Sequence, residues 1–73
     1  MNYESYMKRA RDTYETTKEY WRYGQVLFNT LLEFDDKLAK EIRGSNLDPF
    51  FTQDKEKIDN FLKHVQTKWS INE

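Results

Sequence analysis

Three residues punctuate this chain, Gly24, Gly44 and Pro49, and everything between them is free to be helix. With so few breakers, the apolar spacing decides the fold. Tyr3, Met7, Ala10, Tyr14, Thr17 and Trp21 fall at alternating steps of four and three, one stripe of an amphipathic helix. The stripe runs on without a breaker. However, Thr16-Thr17-Lys18-Glu19 has the form of a capping box, Thr16 as N-cap and Glu19 at N3, and predicts a break there. A second helix then uses Trp21, Gly24, Leu27, Phe28, Leu31 and Phe34 on its inner face. Gly24 lies one turn from both Trp21 and Phe28. A mid-helix glycine costs about 1 kcal/mol against alanine, which close approach of another backbone or a ring would justify.

Asp35 or Asp36 caps a short third helix with Leu38, Ala39 and Ile42 inside, and Gly44 stands where a helix stops. Ser45 to Pro49 is a turn, and Pro49 holds Asp48 out of the helical region. Phe50 and Phe51 are expected to pin this turn to the core. Thr52 is expected to cap the last helix, whose stripe is Ile58, Phe61, Leu62, Val65 and Trp69, and residues 70–73 are expected to fray. The spacing thus predicts an all-α fold. It is a small helical bundle of three main helices and one short helix, about 2–15, 17–33, 36–43 and 53–69, in a single domain over 1–73.

Seventy-three residues bury a modest core. The chain meets that limit with 16% aromatic residues, while only 37% of it is apolar and 34% is charged. Either the core is compact and ring-rich, or another chain completes it. The net charge is −1, and no third of the sequence departs from neutrality by more than one unit. Phosphate backbones call for a concentrated basic surface, so nucleic-acid binding is disfavoured. Cysteine is absent, which removes disulfides, thiolate chemistry and the usual zinc sites and suits a reducing cytoplasm, the expected location. The first residues lack the apolar core of a signal peptide, and no apolar run is long enough for a membrane span.

No catalytic constellation is visible. His64 is the one histidine and lies off the apolar stripe; no serine sits in a glycine-rich elbow. Glu33, Asp35, Asp36 and Glu41 crowd one stretch without the alternating spacing of a calcium loop. Capping and the pairs Glu33–Lys37 and Asp36–Lys40 account for them. No enzyme activity, cofactor or metal is expected.

Two sets of residues remain. Arg22, Gln25 and Asn29 share one helix face beside Trp21 and Phe28; they either lock the Asp48-Pro49 turn by hydrogen bonds or present donors to a partner. Tyr3, Tyr6, Tyr14, Tyr20, Trp21 and Tyr23 are more rings than one helix face can bury, and tyrosine and tryptophan are enriched where proteins bind one another.

Residues 21–51 carry Trp21-Arg22, Gly24-Gln25, Phe28-Asn29, Leu31, Leu38-Ala39, Ile42-Arg43-Gly44 and Asp48-Pro49-Phe50. This pattern resembles one that recurs in small, functionally uncharacterised bacterial and phage proteins. The resemblance implies a shared fold and no activity. Asp35-Asp36 replaces a proline expected before Leu38-Ala39.

The leading expectation is a non-enzymatic protein-interaction module. It would bind itself or a host protein, as an inhibitor or adaptor of the kind phages and mobile elements encode. Its interface would draw on Tyr3, Tyr6, Tyr14, Tyr20, Tyr23, Arg22, Gln25 and Asn29. The alternative is a homo-oligomer that sequesters a small anionic ligand such as a nucleotide, with Arg22 and Arg43 supplying charge and Tyr20 stacking.

Overall fold

The computed structural model describes residues 2–50, 52 and 54–71, with the backbone alone at 71. The described residues are 75% helical, in four helices with no strands, and the chain is all-α.

Helix α1 spans Tyr3–Thr17, and Asn2 caps it by accepting from the Ser5 N–H at 3.1 Å. It buries Tyr6 and Ala10. The capping box expected at Thr16 does not form. The Thr16 and Thr17 hydroxyls both donate back to the Thr13 carbonyl, at 2.9 and 2.8 Å, and stay inside α1. The break comes later, over residues 18–22, and α2 spans Tyr23–Phe34 rather than beginning at Thr17. Arg22 is the N-cap, with an extended backbone (φ −74°, ψ 155°) and no side-chain capping bond. Trp21 therefore leaves the inner face assigned to it and sits in the connection.

Helix α2 is the hub. Val26, Leu27 and Phe28 are consecutive and all buried, so the helix packs on more than one side. The buried Thr30 hydroxyl is satisfied by the Val26 carbonyl at 2.8 Å. Tyr14 meets Tyr23 and Tyr6 meets Phe34, which makes α1 and α2 an antiparallel hairpin. A single residue, Asp35, joins α2 to α3, Asp36–Ile42. Its carboxylate accepts from the Leu38 N–H at 3.1 Å and caps α3 as expected.

The turn after α3 folds on itself. Gly44 takes the left-handed conformation (φ +76°) that ends helices. The two Asp48 oxygens accept from the N–H groups of Gly44 and Phe50, at 2.8 and 2.9 Å. Pro49 is buried, and the reason is Gly24. A Cβ at position 24 would run into the Pro49 carbonyl oxygen and come within 3.0 Å of that of Thr52. The expected close backbone approach is this one, although Gly24 lies in the first turn of α2 and not in mid-helix as its spacing suggested. Phe50 packs edge-on against Phe28, with centroids 5.9 Å apart. Phe51 lies outside the described residues, as does Gln53.

Helix α4 spans Lys55–Ile71. Asp54, not Thr52, accepts from the first turn, through the Glu56 N–H at 2.9 Å; the Thr52 hydroxyl accepts from Asp54 instead. Ser70 is helical rather than frayed, and residues 72–73 lie outside the described set. The buried positions Ile58, Phe61, Val65 and Trp69 are the expected stripe, with Leu62 at its edge.

Surface ion pairing is sparse among the described residues. Asp36–Lys40 forms at 3.0 Å, but Glu33 reaches across to Arg9 at 3.5 Å instead of pairing with Lys37. No described helix is long and apolar enough to cross a membrane.

Candidate interaction surface

The tyrosine set divides sharply. Tyr6 is fully buried, and its hydroxyl donates to the Leu27 carbonyl at 2.7 Å. Its ring stands edge-on to Trp69 and Phe34, at 5.3 and 5.8 Å between centroids. Burial pushes its hydroxyl far above the ordinary tyrosine range. Tyr6 is a core residue and not part of a surface, which corrects its assignment to the interface. The physical reason is that α4 covers the side of α1 that α2 leaves open. Tyr3 is half-buried against Tyr6 and Trp69. Its pKa is also raised, first by burial and then by Tyr23 and Asp59.

Tyr14 and Tyr23 form an edge-to-face pair at 5.1 Å, both half-buried. Tyr23 is raised chiefly by burial; nearby Arg11 works against the shift and Tyr14 adds to it. Tyr20 and Trp21 are different. They are 81% and 38% exposed, in the connection between α1 and α2, and the fold does not use them as core.

These residues share one concavity of about 710 Å³. Tyr14, Tyr20, Trp21 and Tyr23 supply its aromatic wall, and Ile58 and Leu62 of α4 its apolar side. Lys18, Glu19, Arg22, Lys55 and Asp59 bring charge. Lys18 is already paired with Glu15 at 3.2 Å. Arg22 and Lys55 make no ion pair among the described residues, nor do Glu19 and Asp59. The unpaired charges therefore balance.

The polar row is split. Arg22 lines this cleft, whereas Gln25 and Asn29 are half-buried on α2 outside it. No hydrogen bond among the described residues joins any of the three side chains to Asp48 or Pro49. The turn is held instead by Asp48 itself and by Gly24. Arg43 lies 5.7 Å from the Phe28 ring centroid, over its face, and is not part of the cleft; one chain does not bring Arg43 together with Arg22 and Tyr20. No cluster of metal-ligating side chains occurs among the described residues.

The cleft residues contributed by α4 were not legible as a site. Ile58 and Leu62 read as core, and Lys55 and Asp59 carried no signal of their own; only the packing of α4 against the α1–α2 connection brings them to Tyr20. Comparison with protein-family models, with curated proteins and with solved structures gives no match.

Proposed function

We propose that this chain is a protein-interaction module, working without catalysis as an inhibitor or adaptor, and that it binds through the connection between α1 and α2. The observation that carries this reading is the exposure of Tyr20 and Trp21 beside an aromatic-walled cleft. A small domain short of apolar residues leaves two large rings outside its core. Such rings are characteristic anchors of protein interfaces, where they bury large area at low entropic cost.

The charge pattern favours a protein over a nucleotide. A phosphate ligand at Arg22 and Lys55 would also face the carboxylates of Glu19 and Asp59, and like charges oppose it. A polypeptide carries both signs and can satisfy both.

The test is capture of a partner from the cells that make the protein, using wild type and a Tyr20→Ala/Trp21→Ala variant. Loss of capture with an unchanged helical spectrum supports the reading. Full-strength capture by the folded variant overturns it.

A further inference from the structure

We infer that the partner fitted by this surface is a second copy of the chain, joined by exchange of α1. The inference rests on the proposed reading for its surface and names the occupant. Its first support is the backbone of the connection. Lys18 keeps helical angles (φ −60°, ψ −21°), and the Trp21 N–H still donates to the Thr17 carbonyl at 2.8 Å, a helical i to i−4 bond. Helical bonding resumes at the Arg22 carbonyl, which accepts from Val26 at 3.1 Å. Between these two bonds, Arg22 takes an extended backbone. No described non-glycine residue has positive φ, and residues 18–22 contain no glycine or proline. No breaker or strained residue within the connection opposes straightening. In a continuous helix the N–H groups of Arg22, Tyr23, Gly24 and Gln25 would bond to the carbonyls of residues 18–21.

The second support is the apolar stripe. Tyr14, Thr17, Trp21, Gly24 and Phe28 keep helical spacing straight through the break. The third is what the straightened form does with the exposed rings. When two hairpins open and trade α1, every contact of α1 is remade between copies: Tyr6 on Leu27 and Trp69, Arg9 on Glu33, Tyr14 on Tyr23. The one new interface lies where the two long helices cross, at residues 18–22. Tyr20 and Trp21 of both copies meet there.

Tyr23→Pro is the discriminating variant. Position 23 opens α2 after an extended residue, the setting proline prefers, so the monomer accepts it. A continuous helix does not, because proline would fall in its interior. Tyr23→Ala controls for the lost ring. Each protein is unfolded, refolded at high concentration and sized by light scattering. Wild type and Tyr23→Ala should give a dimer, and Tyr23→Pro should weaken it by roughly a hundred-fold or more. A wild type that stays monomeric at its highest soluble concentration, or a dimer equally strong in folded Tyr23→Pro, overturns the proposal. A second measurement does not depend on proline. The chain has no cysteine. Arg9→Cys and Glu33→Cys single variants are co-refolded and treated with a short bis-maleimide. A mixed cross-linked pair supports exchange; a dimer without it is a face-to-face association and overturns exchange. Either result stands apart from partner capture, which is measured separately on the wild-type monomer isolated by size.

Discussion

The indole N–H of Trp69 donates to the Asp35 carboxylate at 2.9 Å, across 34 positions of sequence. The other oxygen of the same carboxylate caps α3. One side chain thus fixes the corner between α2 and α3 and ties it to the end of α4. Around the indole, Tyr3 and Tyr6 stand edge-on from α1. All the helices but α3 place a ring or a buried side chain near this point, and Asp35 brings α3 to it.

Asp35→Ala should destabilise the fold by about 2 kcal/mol. It removes a helix cap and leaves a buried indole donor without its acceptor. Asp35→Asn keeps an acceptor and should cost less. Urea unfolding followed by circular dichroism separates the two.

Gly24→Ala should destabilise the protein although alanine is the better helix former. The propensity gain, at most about 1 kcal/mol and less in the first turn of a helix, is outweighed, because the new methyl group meets backbone oxygens of Pro49 and Thr52 that cannot rotate aside. Overpacking of this kind costs about 1–3 kcal/mol, and here the upper end is expected. A rise in the unfolding midpoint would contradict this.

Tyr6→Phe should cost about 1–2 kcal/mol at neutral pH, the loss of a buried hydrogen bond with the Leu27 carbonyl left short of one donor. The same residue makes the fold sensitive to alkali. Its folded pKa is raised above the ordinary tyrosine value, so the folded state holds the proton more tightly than the unfolded one. Its stabilising effect is complete below about pH 10 and falls as pH climbs above that value. Tyr3 and Tyr23 shift in the same direction and add to the trend. Denaturant titrations at neutral and alkaline pH should show a smaller alkaline loss in Tyr6→Phe than in wild type.

Tyr20→Ala should leave stability within about 0.5 kcal/mol of wild type, since the ring is largely in solvent. The tryptophans should differ in kind. Acrylamide should quench Trp21 fluorescence readily and Trp69 hardly at all in the folded chain, read on Trp21→Phe and Trp69→Phe variants. Equal quenching would mean that the connection is covered.

Local chemistry determined a good deal of this protein. The all-helical class follows from the scarcity of glycine and proline, and the α4 stripe from its spacing alone. Asp35 as a cap and Gly44 as a stop are short-range features, decided within a turn of chain. What those signals could not decide was where neighbouring helices lie. Thr16 had the form of a cap, but its hydroxyl found a helix carbonyl closer to hand, and the chain reversed over residues 18–22 instead. Tyr6 and Tyr20 look alike in sequence, each beside the main stripe. One is core and the other exposed, because α4 covers the early turns of α1 while the connection runs out at the end of the hairpin. The cleft has the same origin: Lys55, Ile58 and Asp59 stand more than thirty residues from Tyr20, and only the antiparallel packing of α4 on α1 brings them to it. Helix type is set by interactions over three and four residues. Which faces meet is set by how limited apolar area is shared among four helices at once, and that is decided in the tertiary structure.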